Sequence, residues 1–264
     1  MKKRILYVWA MLTLLSGTLF LSSCSSDGDG DAAPKVVISP VQTIGVDYGD
    51  GVEGYTFTYD ASGKIDYITD TWEGAEVDKI DFDYSTAGKL TITKEDWPTI
   101  YTIDADGRIT KEFWNETQTE WAAYEYNTDG FMTKIIEHWD GVDHVKFTVE
   151  MLTGNVVRHS RYDDDGLVNR IKEFTFFNSG SDNVNDLQQT NAVDSNWKVI
   201  GGLFGKPSKK LVNYLEYWNG AGDEANKKKT QMTYTFDSKN RVSSMIRAGD
   251  GFQESYTYTY YDVK

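Results

Sequence analysis

The chain has 264 residues, a single cysteine and a formal charge of −14, with 41 acids against 27 bases. Such an acidic surface repels phosphate backbones and argues against a nucleic-acid partner. One cysteine allows no intrachain disulfide, so stability must come from packing; the 17 tyrosines and 8 tryptophans favour half-buried sheet positions.

Lys2, Lys3 and Arg4 precede an apolar run from Ile5 to Phe20, broken only by Thr13, Ser16, Gly17 and Thr18. This is the charged start and short apolar core of a signal peptide, too short for a spanning helix of about 20 residues. Leu21-Ser22-Ser23-Cys24 resembles a lipobox, which predicts removal of residues 1–23 and a lipidated N-terminal Cys24. The loss of Lys2, Lys3 and Arg4, with no acid in the leader, takes the charge from −14 to −17. More than one acyl chain, at about 0.8 kcal/mol per buried CH₂, makes such anchoring stable. Ser25 to Pro34 is small, polar and acidic, so residues 24–45 read as the lipidated cysteine and a flexible tether. Its acidic start resembles the surface-export signal of Bacteroidetes lipoproteins. Asp27, Asp29 and Asp31 have the spacing of calcium ligands but lack a downstream bidentate glutamate, and no metal site is expected there.

Residues 46–264 read as one all-β domain built on a recurring unit. The unit is aromatic-x-aromatic, an Asx-rich turn with Gly, a basic or polar residue, then an aliphatic. It occurs at Phe57–Ile65, Phe82–Leu90, Tyr101–Ile109 and Tyr124–Met132, and at Tyr234–Val242 with Asn240 in place of Gly. Gly and Asn accept positive φ and Asx side chains cap turns, so each copy predicts a hairpin turn. Midway between them lie Trp72-Glu73-Gly74, Trp139-Asp140-Gly141, Trp218-Asn219-Gly220 and Gly249-Asp250-Gly251. Trp97-Pro98, Trp114-Asn115 and Asp163-Asp164-Asp165-Gly166 fall at equivalent places. These predict the opposite ends of an antiparallel up-and-down meander of about 14 to 16 strands.

Period-2 alternation puts one face of each strand in a dry core. Tyr55, Phe57 and Tyr59 share such a face, as do Ile80, Phe82 and Tyr84. Val145, Phe147, Val149 and Met151 follow the pattern, with Met232, Tyr234 and Phe236, and Tyr256, Tyr258 and Tyr260. No helical pattern is long enough to cover so wide a sheet, so it must curl onto itself as a barrel. Residues 178–210 interrupt the meander, and an excursion of this length predicts a cap or plug at one end.

The Tyr-Asp-x-x-Gly-Lys/Arg-Ile units resemble the YD repeats of Rhs-type proteins. The lipobox, the hairpin series and Gly202-Leu203-Phe204-Gly205-Lys206-Pro207-Ser208-Lys209 together resemble a family of secreted Bacteroides lipoproteins with a porin-like fold. The resemblance spans Val46 to Tyr261. It implies a porin-like barrel and an outer-membrane lipoprotein exposed at the cell surface, and it assigns no catalytic or binding residue.

Motifs for nucleophilic, phosphate or zinc chemistry are missing from the chain. His138 and His144 flank one turn and would need a third ligand such as Asp140 or Asp143 to hold a metal; with His159 they read as polar-face residues. No catalytic residue, metal or cofactor is therefore expected. Trp72, Trp114, Trp139 and Trp218 should share one rim, where a row of aromatics can stack on sugars or grip a protein. Packing against neighbouring turns is their other role, and the one the pattern favours. The expected function is a lipid-anchored binding or scaffold protein for a glycan or partner protein, in contact with the membrane only through its anchor. The alternative is a carboxylate-dependent hydrolase acting on extracellular glycan.

Overall fold

The computed structural model describes residues 40–178, 182–183 and 202–262. The expected leader, Cys24 and the expected tether as far as residue 39 lie outside them, as does most of the 178–210 insert. The first eight strands are β1 (Val41–Asp47), β2 (Val52–Tyr59), β3 (Ile65–Trp72), β4 (Ala75–Asp83), β5 (Lys89–Lys94), β6 (Trp97–Ile103), β7 (Ile109–Phe113) and β8 (Trp121–Tyr126). The remainder are β9 (Met132–Trp139), β10 (Val142–Leu152), β11 (Asn155–Tyr162), β12 (Val168–Phe176), β13 (Val212–Trp218), β14 (Lys228–Phe236), β15 (Val242–Gly249) and β16 (Phe252–Tyr260). Every strand pairs antiparallel with its neighbours in sequence, and β1 pairs with β16, Ile44 opposite Tyr258. The expected meander is thus a closed barrel of sixteen strands.

Two boundaries differ from expectation. The barrel begins at Val41, five residues inside the stretch assigned to the tether, and Val41, Ile44 and Val46 are all buried. An irregularity between Val41 and Thr43 breaks the period of two there, which conceals the strand in the sequence. The β5–β6 turn is Glu95-Asp96, with φ of 50° and 65°, while Trp97 and Pro98 already belong to β6. A third difference concerns facing. A bulge at Lys146 turns Val145 outward, away from the face it was expected to share with Phe147.

The repeat unit has a common geometry. In the β6–β7 turn, Asp104 Oδ1 accepts the N–H groups of Asp106 at 3.0 Å and Arg108 at 2.9 Å. Asp104 N–H donates to the Arg108 carbonyl at 2.9 Å, and Gly107 N–H to the Asp104 carbonyl at 3.0 Å. Asp60, Asn127 and Asp237 make the same bonds in their turns, and so does Asp163 at the opposite end. Gly107 (φ 81°) and Asn240 (φ 60°) occupy the left-handed position that other residues avoid.

Tyrosines tie these hairpins to their neighbours. Tyr59 Oη donates to the Val41 carbonyl at 2.9 Å, Tyr126 to Ile109 at 2.5 Å and Tyr260 to Val242 at 2.6 Å. Each bond runs from the end of one strand to the start of the strand before it. Arg108 Nε bonds Asp104 Oδ2 at 2.7 Å and its guanidinium lies 4.9 Å over the Tyr126 ring. Arg241 repeats this with Asp237 at 2.7 Å and Tyr260 at 4.6 Å.

The interior is apolar toward the end that carries these turns. Phe57, Ile68, Ile80, Leu90 and Ile109 are fully buried, and Leu203 and Phe204 from the insert, with Leu211 just after it, join the same cluster. Backbone bonds fix this plug: Ile109 N–H to the Leu203 carbonyl at 2.7 Å, Lys206 N–H to Gly130 at 2.9 Å and Lys209 N–H to Gly154 at 3.1 Å. The described part of the insert thus closes the end as a plug, because Leu203 and Phe204 supply the apolar volume that the turn residues lack. The outer face carries Thr69, Lys79, Asp81, Thr91, Thr93, Glu125 and Thr235, opposite in alternation to the buried set.

Replacing Phe204 by alanine should cost about 3–5 kcal/mol in denaturant unfolding, as an emptied core site does. Tyr126→Phe keeps the ring and loses one hydrogen bond, so its cost should be about 0.5–1.5 kcal/mol.

Candidate functional site

The end away from the plug is a wet mouth. Trp72 and Trp139 end β3 and β9, Trp114 follows β7 and Trp218 ends β13, so all four lie on this rim. Their environments differ. Trp72 and Trp114 are each 43% exposed. The Trp72 ring covers Gly51, where a Cβ would come within 2.1 Å of it. Trp139 is half-buried, stacked on His144 with centroids 4.0 Å apart and planes within 5°. Trp218 is 3% exposed, in register opposite buried Ile171 on the outer face, with Lys227 Nζ 4.1 Å over its ring. That tryptophan therefore packs, while Trp97, 78% exposed at the start of β6, is a rim aromatic that the turn pattern places at this end but that was not among the four candidates.

Three of these tryptophans follow an acid by two residues: Asp70-Thr71-Trp72, Glu112-Phe113-Trp114 and Glu137-His138-Trp139. A step of two keeps both side chains on one face of a strand, about 7 Å apart along it. The face is the inner one, since Asp70 alternates with core Ile68, and Glu112 and Glu137 flank buried Ala122 in register. The carboxylates are held in place. Glu112 accepts from Tyr124 Oη at 2.6 Å and Tyr101 Oη at 3.2 Å. Burial and then the Glu112 charge push both phenols well above their ordinary range, so they remain donors. Glu137 lies 3.3 Å from Lys146, which also reaches Asp164 at 3.2 Å.

Asp70 sits in an acidic corner with Glu53 and Asp78. Lys94 Nζ stands 3.7 Å from both Asp70 and Asp78, and Tyr48 Oη donates to Glu53 at 2.9 Å. Burial, then the Glu53 charge, raises the Asp70 pKa against the opposing pull of Lys94. Across β1 from this corner, on β16, Glu254 pairs with Arg247 at 3.3 Å and accepts from Tyr256 Oη at 3.0 Å. Burial, then the Glu254 charge, pushes that phenol up to about 12. Lys94 keeps 46% and Arg247 35% of the side chain exposed on the inner face, so water enters this end.

Alternation separates the histidines. His138 faces outward, its Nδ1 2.6 Å from Asp143 Oδ1 and its ring stacked on Trp121 at 4.8 Å. His144 faces inward and His159 is buried, edge-on to Phe174 at 4.9 Å. Among the described residues no group of three or more His, Cys, Asp and Glu is placed to hold a metal. A cleft of about 460 Å³ opens at the plugged end, but its lining of turn and plug residues, Asn127, Asp129, Thr153 and Lys209 among them, includes none of the rim tryptophans.

No protein-family model matches the chain, and no curated protein matches it. Among solved structures it is similar to a porin-like protein from Bacteroides uniformis, with 17% identity and a TM-score of 0.68 over 85% of this chain and 99% of the other. A porin-like protein from Bacteroides vulgatus aligns at 12% identity with a TM-score of 0.49, over 85% of this chain and 100% of the other. At this identity the likeness establishes the porin-like barrel fold.

Asp70 and Asp104 should respond to pH with opposite signs. A carboxyl whose pKa is raised by folding destabilises the fold when ionised, and the penalty vanishes as pH falls to the ordinary value near 4. Asp70→Asn should therefore raise Tm at pH 7 and leave it unchanged below about pH 4. Burial opposes ionisation of Asp104, but its bonds from Arg108 outweigh that and hold its carboxyl low. Asp104→Asn should lower Tm at pH 7, with the loss shrinking as pH falls through the folded pKa. Thermal unfolding from pH 3 to 8 checks both.

Proposed function

We propose that this chain is a lipid-anchored binding protein, tethered through Cys24 at a bacterial outer membrane and exposed at the cell surface, whose open barrel mouth grips a saccharide. The observation that carries the reading is the acid–tryptophan step repeated at Asp70/Trp72, Glu112/Trp114 and Glu137/Trp139 on the inner face of one rim. An indole offers a flat apolar face to the C–H face of a sugar ring, and a carboxylate beside it accepts hydroxyl hydrogen bonds. Trp114 and Trp139 stand two strands apart, about 10 Å at the usual interstrand spacing, which suits successive rings of an oligosaccharide.

The outer face supports a barrel held at the membrane by lipid. A transmembrane barrel shows an apolar band outward, on strands of about 9–11 residues. Here the outward positions are largely Thr, Lys, Asp and Glu, and the strands run from 5 to 11 residues. The porin-like likeness, the lipobox and the acidic residues behind it agree with a member of the secreted Bacteroides lipoprotein family. The negative surface fits a sugar or protein ligand better than a nucleic acid, and the reading calls for no cofactor.

Two experiments test it. Cys24→Ser should move the protein from the detergent phase to the aqueous phase in a Triton X-114 partition; retention in detergent would remove the anchor. On a glycan array, the glycans bound by the wild type should lose at least ten-fold in affinity on Trp114→Ala or Trp139→Ala. Trp218→Ala should lower Tm and leave affinity unchanged. Binding that survives loss of both Trp114 and Trp139 would sink the stacking role.

A further inference from the structure

The barrel wall beyond the last acid–tryptophan strand carries the opposite charge. β11 lies two strands past β9 and eight past β3 in the ring of sixteen. The β11–β12 hairpin turns at the open rim, and its register sets Arg161 directly opposite Arg170, and His159 opposite Lys172. This block lies on the inner face: the Arg161 guanidinium is 5.9 Å over the Phe147 ring, His159 meets Phe174 edge-on, and Arg170 and Lys172 share the parity of Phe174. The outer face of the same hairpin is neutralised, with Arg158 3.8 Å from Glu150 and 3.9 Å from Glu173.

Arg158 Nε is itself buried without a hydrogen-bond partner, so what sets the inner arginines apart is the lack of a nearby acid. Among the described residues neither Arg161 nor Arg170 has a carboxylate within 4.0 Å, and Arg161 Nε is buried with no hydrogen-bond partner. Like charges directly opposite each other destabilise a strand pair, and a buried donor without an acceptor adds to the penalty. Among the described residues this pair has no acid at hand, in a chain whose acids outnumber its bases 41 to 27. An anion from outside would remove both penalties, and two planar guanidinium forks match an oxyanion.

We infer that the inner face of the β11–β12 hairpin, with Arg161 and Arg170 as its principal donors, binds an acidic group of the saccharide, a carboxylate or a sulfate. The ligand class rests on the saccharide reading above, whereas the anion site stands on the arginine pair itself. The rim tryptophans then read sugar rings, and the hairpin selects acidic chains over neutral ones.

The test is calorimetric titration of the lipidated full chain in detergent with tetragalacturonate and its methyl ester, and with a sulfated tetrasaccharide and its desulfated form. At least one charged ligand should bind ten-fold or more tightly than its neutral counterpart, and the pair that shows the preference separates carboxylate from sulfate. Arg161→Gln combined with Arg170→Gln should abolish the preference and raise the Tm of the ligand-free protein. Millimolar sodium sulfate should raise the wild-type Tm above that in sodium chloride of equal ionic strength, and should leave the double variant unmoved. Equal affinity for charged and neutral forms, or a preference that persists in the double variant, overturns the inference while leaving tryptophan-dependent binding intact. Sulfate protection of the wild type alone, with no saccharide bound, keeps the anion site and overturns the saccharide reading. Absence of both effects overturns the anion site.

Discussion

A sheet of sixteen strands leaves two rows of backbone N–H and C=O groups unpaired unless its first strand meets its last. In this protein the β1–β16 pairing supplies that closure, across more than two hundred residues of chain. Once the ring is closed, each strand has one face turned to a confined interior and the other to solvent. The apolar alternation, the Thr-rich exterior and the need for a plug all follow. An interior of this width cannot be filled by wall residues alone, so Leu203 and Phe204 of the insert and Leu211 just after it complete it.

The repeat unit is the local device that makes such a ring regular. An Asx side chain organises the turn, a Gly or Asn supplies the left-handed residue, and a tyrosine hydroxyl crosses to the carbonyl of the preceding strand. Individually these bonds are modest, about 1 kcal/mol each. Together they set hairpin against hairpin with the same offset at β2, β8 and β16, so the register error that one slipped strand would introduce does not propagate. The Asp104–Arg108–Tyr126 and Asp237–Arg241–Tyr260 groupings add charge to the same fastening.

The two ends of the barrel divide the work. The plugged end is dry and holds the structure. The open end keeps inward-facing charges: Glu53, Asp70, Asp78, Glu112 and Glu137 along β2 to β9, with Lys94 among them, and Arg161, Arg170 and Lys172 on β11 and β12. Polar groups at the interior of a barrel are costly unless they are paired or wet. Their concentration at the mouth, beside exposed tryptophans, is therefore where a ligand would make its contacts.

Much of this was legible in the chain itself. The period of two, the Asx-Gly turns and the alternating sets of turn residues fixed the fold class, the strand count within its range and the sharing of one rim by Trp72, Trp114, Trp139 and Trp218, because these depend on neighbours only a few residues apart. The charge is likewise a reading of composition, and the proposed leader ending before Cys24 rests on residue order alone. What needed tertiary structure was everything set by pairing or by a bulge: β1 hidden behind an irregularity, Val145 turned outward at Lys146, Trp218 packed against Ile171 and Trp97 left exposed. The acid–tryptophan step and the His159/Arg161 and Arg170/Lys172 spacings were present in the sequence as intervals of two. Only the closed barrel decided that those intervals face inward at one mouth, since alternation says which residues share a face and the ring decides which face is inside.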